Sequence, residues 1–372
     1  MHTRLPHSTE VFVIGGGPAG LAAALAARRR GLDVTVADSS VPPIDKACGE
    51  GIMPDGLAVA RSLGLNLEAA GGQPFQGIRF CHRDTRVQAA FPNGNGLGLR
   101  RTALHQLMVD QALAAGVHMA WGVRITGIRP DGVMADDRLV RARWIIGADG
   151  AHSPVRRWAG LDACVQESRR FGFRRHYRLA PWSEFMEIHW GDGCQLYITP
   201  IAAGEVCVVL ISSDSHLRLG DALPQFPEVQ RRLAGAVPAN PERGGVTASR
   251  RLKSVARGNV ALVGDASGSV DAITGEGLCL LFQQSIALAG ALAAGDLARY
   301  RTAHRRIGLR PELMADLMLL MDRRRRLRTR AFRALAAQPS LFADMLAMHV
   351  GERPLWEVFT GGLALGWRML AV

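Results

Sequence analysis

The strongest constraint on what this chain can fold into is a spacing of glycines. Gly15-x-Gly17-x-x-Gly20 follows the unbroken apolar run 11–14 and leads into the alanine-rich stretch 21–27. A short continuous apolar run reads as a strand buried on both faces, and the alanine-rich stretch reads as a helix. After a break at Gly31, a second apolar run, 34–37, ends at Asp38. Strand, tight turn, helix and strand in that order imply a right-handed crossover within a parallel sheet. The glycines let backbone approach a pyrophosphate, and the helix N-terminus offers it donors and a positive dipole. An acid at the end of the second strand can accept bonds from an adenosine ribose. The pattern implies dinucleotide binding; alone it does not separate FAD from NAD(P).

Later segments return to the same kind of sheet. Residues 45–95 are rich in Gly and Pro with short strand-like pieces at 77–81 and 86–91, which read as a cofactor-facing loop followed by strands of another layer. The spacing of Leu104, Leu107, Met108, Ala112 and Leu113 predicts a helix over 101–115, ended by Gly116. Strands are expected over 117–128, a turn at Pro130-Asp131-Gly132, and a further apolar strand at 144–146. Residues 171–212 alternate, with 197–199 and 206–211 clearest, and predict an antiparallel sheet roofing a substrate. The buried-strand pattern returns at 260–263, a long apolar helix follows at 278–294, and beyond Tyr300 the chain is helical and arginine-rich. A discontinuous nucleotide domain is therefore expected, with the sheet domain inserted into it.

Charge and cysteine usage narrow the class. The chain carries 45 Lys+Arg against 33 Asp+Glu, a formal charge of +12, and its lysines are Lys46 and Lys253, so the basic charge is almost all arginine. Such a field draws anionic partners, for instance a phosphorylated coenzyme or a lipid headgroup. Nucleic acid is not expected: there is no zinc-finger spacing, no aromatic-basic interleaving, and only three Tyr. The six cysteines are scattered, without a C-x-x-C pair or a histidine at ligand spacing, so free thiols and no metal are expected. Residues 1–10 are polar and no apolar run reaches the ~18 residues of a spanning helix, so the expected location is cytoplasmic or peripheral to a membrane.

Two later motifs carry a family resemblance. Gly147-Ala148-Asp149-Gly150-Ala151-His152-Ser153 with Arg156, and Gly264-Asp265-Ala266-Ser267-Gly268 leading to Gly275-Glu276-Gly277, resemble the paired Asp-Gly and Gly-Asp motifs of flavoproteins related to aromatic hydroxylases. With Lys46-Ala47-Cys48-Gly49-Glu50-Gly51 added, the chain looks closest to the geranylgeranyl reductase-like branch, from about residue 10 to about residue 300. The resemblance implies an α/β fold: a Rossmann-type, glutathione reductase-like FAD-binding domain from residues 1–75, 96–165 and 250–300, an inserted antiparallel β-sheet substrate domain from 76–95 and 166–249, and C-terminal helices over 301–372. By similarity, Gly15, Gly17, Ala19 and Gly20 hold pyrophosphate, Asp38 the adenosine ribose, Arg101 the phosphate region, and the backbone of Val123 the adenine. Asp265 matches the aspartate on the ribityl chain. Cys48, Gly49 and Gly51 match the loop lying against the isoalloxazine, Asp149 belongs to the Asp-Gly motif, and Gly275, Gly277 and Leu278 present helix amides to flavin N1 and the C2 carbonyl.

What the resemblance implies about the reaction is an FAD-dependent oxidoreductase. The leading expectation is monooxygenation by a C4a-hydroperoxyflavin of a phenolic, polyketide-like or isoprenoid molecule, as in secondary metabolism, with NAD(P)H as transient electron donor. The alternative is reduction or dehydrogenation of a prenyl or other C=C bond; halogenation and non-catalytic flavin binding rank lower. Ser267 and Glu276 stand where aromatic hydroxylases usually carry His and Gln, which leans toward the reductase-like branch. With no second glycine fingerprint, a nicotinamide would dock transiently near Asp149, Arg156 and neighbouring arginines, or electrons would come from another donor protein.

Several residues have plainer readings. Cys48 is expected to be a packing residue and Glu276 a cap of the helix beside it. His176, Tyr177, His189 and Trp190 either face the flavin or sit half-buried in the sheet, and no general base is assigned. Arg323 to Arg326, Arg328 and Arg330 follow the amphipathic run 313–321; a solvated face is expected, and attachment to anionic lipid or an acidic carrier, helped by the apolar tail 363–370, is the alternative.

Overall fold

The computed structural model describes residues 5–354; the tail 363–370 lies outside them. In chain order the elements begin with β1 (Ser8–Ile14), α1 (Pro18–Arg28) and β2 (Val34–Asp38), followed by β3 (Gly51–Ile52), α2 (Pro54–Ser62), β4 (Gln73–Phe75), β5 (Gly77–His82), β6 (Thr85–Ala90) and β7 (Gly96–Gly98). Next come α3 (Arg101–Ala114), β8 (His118–Trp121), β9 (Ile125–Arg129), β10 (Gly132–Ala135), β11 (Arg138–Gly147) and α4 (Pro154–Trp158). The β-rich stretch is β12 (Cys164–Arg178), β13 (Phe185–Trp190), β14 (Cys194–Ala202), β15 (Glu205–Ser212), α5 (Leu219–Ala222), α6 (Pro227–Leu233), β16 (Val237–Pro238), β17 (Arg243–Leu252), β18 (Ala256–Arg257) and β19 (Val260–Leu262). Four helices close the described chain: α7 (Gly277–Ala293), α8 (Leu297–Arg323), α9 (Arg325–Ala337) and α10 (Pro339–His349).

The apolar runs become one parallel sheet. Its order is β18-β19-β11-β1-β2-β8, parallel from β19 through β8, with β10 antiparallel on β11 and β9 antiparallel on β10. Strands buried on both faces need no alternation, which is why residues 11–14 and 34–37 are unbroken apolar runs. α1 is buried nearly throughout, from Pro18 to Ala27, and packs on α7 and α3. Proline at its first turn and Gly31 (φ +81°) just beyond its end fix its limits.

A second sheet has the order β16-β12-β15-β14-β13-β5-β6, with β17 also on β12. Residues 77–90 and 164–252 thus supply one sheet. It is antiparallel as expected except between β5 and β13, which run parallel. These two strands are about a hundred residues apart in sequence, so no hairpin dictates their sense. One face packs on α8, α9 and α10 through Phe80, Trp190, Ile211, Met318, Met321, Phe332 and Phe342. A small third sheet, β3-β7-β4, lies between the two layers' loops, with Gly98 against the Pro200 carbonyl of β14.

Candidate functional site

The glycine turn is built by close contacts that admit no side chain. A Cβ on Gly15 would strike the Ala148 carbonyl, and one on Gly20 the carbonyl of Gly15, whereas Gly17 faces open space. α1 has no side-chain cap and no acid in its first turn, which leaves the amides of Ala19 and Gly20 without partners inside the helix. Asp38 shapes the far wall: its carboxylate accepts from Gly16 N at 2.7 Å and from Ser40 N at 2.7 Å, and its carbonyl accepts from Val123 N at 3.0 Å. Val123 and Asp38 are therefore adjacent. A residue with no sequence signal, His105 of α3, braces the turn from below: its Nδ1 accepts from Ile44 N, so Nε2 carries the proton and donates to the Gly16 carbonyl at 2.8 Å. Burial lowers the His105 pKa and favours this uncharged form.

The Gly-Asp motif meets the same turn. Gly264 packs so tightly on Ala19 that a Cβ there would collide with it. Asp265 follows, and its Oδ2 accepts from Lys46 Nζ at 2.7 Å across 219 residues of sequence. Desolvation works against charge on Asp265, but the Lys46 ammonium and the Arg101 guanidinium outweigh it and hold the carboxyl below its ordinary range. α7 then begins at Gly277 without a side-chain cap or an acid in its first turn. The glycine at 275 has φ +71°, and Cβ positions at Gly49 and Gly277 meet nothing within 4 Å.

Beneath the loop 46–51 lies a buried polar network. Glu50, between two glycines at φ +59°, turns its side chain inward and is 2 % exposed. Its Oε1 accepts from Arg101 N at 2.9 Å and Arg174 Nη1 at 3.1 Å, and its Oε2 from His176 Nε2 at 2.6 Å. Arginine only donates, so Arg100, 3.1 Å from His176 Nδ1, fixes the imidazole with its proton on Nε2. Arg174 also forms two 2.9 Å bonds to Asp45; burial would raise that carboxyl, but Arg174 and then Arg243 hold it below its usual range. Thr199 donates to the Gly49 carbonyl at 2.9 Å. Burial pushes the Cys48 thiol up, which suits a packing residue rather than a reactive thiolate.

Cys207 joins Glu50 and His176 within 4.8 Å, a spacing that a metal could bridge. Glu50 and His176 are already committed to Arg174 and Arg100, and burial raises the Cys207 thiol well above its ordinary value, so the chemistry of this donor set fits a hydrogen-bond network.

Several expectations are corrected by the geometry. Asp149 spends its carboxylate on its own loop, accepting from Ser153 Oγ and Val155 N, and so organises the start of α4. Arg156 is 2 % exposed, with its nitrogens bonded to Asp162, Ala266 and Ala151, so it offers no docking place for a nicotinamide. Glu276 occupies the N-cap position of α7 by backbone alone; its side chain points instead toward Arg310 and His349, each 3.8 Å away. Burial raises Glu276 to about 8 and lowers His349 to about 4. His176 and His189 are both buried and hydrogen-bonded to glutamates, Glu50 and Glu187, rather than facing a cleft.

These residues fit FAD on structural grounds. Two uncapped helix N-termini, open space at Gly17, Gly49 and Gly277, and a buried Arg101 Nε with no hydrogen-bond partner among the described residues lie around the contacts of Gly264 with Ala19 and of Lys46 with Asp265. Fold and site together define a dinucleotide-binding flavoprotein of the Rossmann type. Residues 8–191 match the model of the FAD binding domain family. The chain is 28% identical over 337 residues to menaquinone reductase of Mycobacterium tuberculosis, covering 83% of this chain and 80% of that one. It is 28% identical over 302 residues to digeranylgeranylglycerophospholipid reductase 2 of Methanopyrus kandleri, covering 72% and 73%. A solved flavoprotein/dehydrogenase from Cytophaga hutchinsonii superposes with a TM-score of 0.85 over 98% of this chain and 99% of that one, at 16% identity. Over most of its length the chain is thus similar to FAD-dependent oxidoreductases, with the FAD binding domain family matched over residues 8–191 and reductases among its relatives.

Proposed function

We propose that this oxidoreductase is a reductase that saturates a C=C bond in a polyprenyl chain. The observation that carries the reading is the buried apolar cluster of Met53, Phe75 and Met186 that packs against the glycine loops. A Cβ on Gly51 would lie 3.0 Å from Met186 Sδ and 3.8 Å from Phe75, and one on Gly275 would lie 3.6 Å from Met53 Cε. Thioether side chains adapt to a long flexible hydrocarbon, and the cluster's phenol, Tyr197, spends its hydroxyl on the Ile273 carbonyl at 2.7 Å. Menaquinone and digeranylgeranylglycerophospholipid, the molecules in the names of two relatives, share one chemical feature, a polyprenyl chain.

Bound FAD would supply the redox chemistry, passing two electrons from a donor, for which we propose NAD(P)H, to the olefin, which also gains two protons. The chain's own residues would hold it: the amides of Ala19 and Gly20 at the pyrophosphate, Asp38 at the ribose, Arg101 at the phosphates, Asp265 with Lys46 near the ribityl chain, and the Gly277 and Leu278 amides at the pyrimidine edge. α7 would place its positive N-terminal end where reduction develops negative charge. The Glu50 network would keep the loop 46–51 in place, and the methionine cluster would exclude water.

The test is product analysis. Holoprotein given a reductant and a polyprenyl quinone should yield product with two hydrogens added to the polyprenyl chain, beyond the two that convert the quinone ring to quinol, and with no dependence on O₂. A product with one added oxygen, formed in step with O₂ consumption, would favour hydroxylation instead.

A further inference from the structure

We infer that the outer face of α8 is an interfacial contact that lies on an anionic lipid surface. The helix is 27 residues long, about 40 Å at 1.5 Å per residue, and its two sides differ in kind. Met314, Ala315, Met318 and Met321 are buried against the second sheet. On the other side Leu309, Leu313 and Leu320 are 56%, 40% and 48% exposed. Spacings of four and seven residues put these three leucines on one stripe. Single exposed leucines are ordinary on a protein surface, but three aligned ones with no packing role among the described residues are not.

Charge brackets the stripe at both ends. Arg305 and Arg306 are exposed one turn before Leu309, and Arg323, Arg324, Arg325 and Arg326 are exposed beyond Leu320, where α9 begins. Arg328, part of the same run in sequence, is instead buried and bonded to Asp192 at 2.7 Å, so the outward charge is selective. The acids on this helix are Asp316, exposed on the stripe between Leu313 and Leu320, Asp322, bonded to Gln195, and Glu312, which pairs with Arg251. An apolar stripe with arginines flanking it is the pattern of a helix lying in the plane of a membrane interface, its leucines among the acyl chains and its guanidinium groups at the phosphates. The formal charge of +12 favours anionic over neutral headgroups. Among the described residues no helix is long and apolar enough to cross a membrane, so the contact is with the surface.

The experiment is vesicle co-sedimentation of the full-length holoprotein with phosphatidylcholine alone and with phosphatidylcholine containing phosphatidylglycerol. Binding should require phosphatidylglycerol and weaken with added salt. Replacing the stripe (Leu309→Asp, Leu313→Asp, Leu320→Asp) should reduce it by about tenfold or more, leaving the flavin absorbance and melting temperature unchanged. In a second variant, Leu313→Trp, the tryptophan emission should shift to the blue on adding anionic vesicles. Equal binding to both vesicle types, no loss in the leucine variant, or no emission shift would overturn the inference. So would self-association of the native chain that the leucine variant abolishes, since the stripe would then be a contact between copies.

Discussion

Glu50 Oε2 accepts a hydrogen bond from His176 Nε2 across 2.6 Å, although 126 residues separate them, and this contact fastens the loop 46–51 to the second sheet. Through its other oxygen Glu50 also holds the first amide of α3 and the Arg174 guanidinium. One buried carboxylate therefore joins the loop, a helix of the nucleotide-binding layer and a strand of the sheet.

Glu50→Ala should leave the buried Arg174 with Asp45 and the Lys46 carbonyl, and the Arg101 amide unpaired. Loss of a buried partner of this kind costs about 3–5 kcal/mol. Denaturant unfolding of the holoprotein measures it, and FAD affinity, read by flavin fluorescence on dilution, should fall in the same variant.

Arg101→Gln tests the guanidinium whose Nε is buried without a partner among the described residues. FAD affinity should weaken by about tenfold to a hundredfold, the scale of one charge-assisted contact of about 1.5–3 kcal/mol. The melting temperature of the flavin-free protein should change little, which separates a lost cofactor contact from a damaged fold.

Glu276 gives a pH signature. Its carboxyl is raised from 4.5 to about 8 by burial, with Asp55 adding to the rise and Arg310 opposing it; Cys279 and His349 complete its surroundings. Between those pH values the unfolded chain has released a proton that the folded chain keeps. The associated stability is full below pH 4.5 and is lost as pH rises through 8. Glu276→Gln cannot ionise, so its stability relative to the native chain should improve between pH 5 and pH 8 by on the order of a few kcal/mol. Urea unfolding of both proteins at the two pH values checks this; an unchanged difference would contradict it.

Met186→Trp crowds the apolar cluster beside Gly51. The flavin spectrum should stay the same while KM for a long polyprenyl substrate rises more than for a short one. Steady-state kinetics with substrates of two chain lengths measures the effect.

Much of the nucleotide layer was legible because backbone demands there write themselves into local sequence. Gly15 and Gly20 are needed by contacts that exclude a Cβ, Asp38 ends a strand a fixed distance on, and residues 260–263 have the composition of a strand buried on both faces. The polar network was not legible, because its pairs are made by the fold. Lys46 meets Asp265 across 219 residues and Arg174 meets Glu50 across 124. Glu50 carried one signal, a charged residue between glycines, but nothing local says that its side chain points inward. Arg156 looked available for the opposite reason: burial is a property of packing, and the arginine run 323–330 likewise hides one buried member, Arg328.

Anaerobic single turnover tests the reductase reading most directly. The protein would be photoreduced without air, mixed with a polyprenyl alcohol, whose reducible groups are its C=C bonds, and followed by the return of the oxidised flavin band, with the product analysed by mass spectrometry. The reading predicts reoxidation that requires the olefin, proceeds without O₂, and yields a product with two added hydrogens on the chain. Flavin that stays reduced until O₂ is admitted, followed by a product carrying one new oxygen, would contradict it.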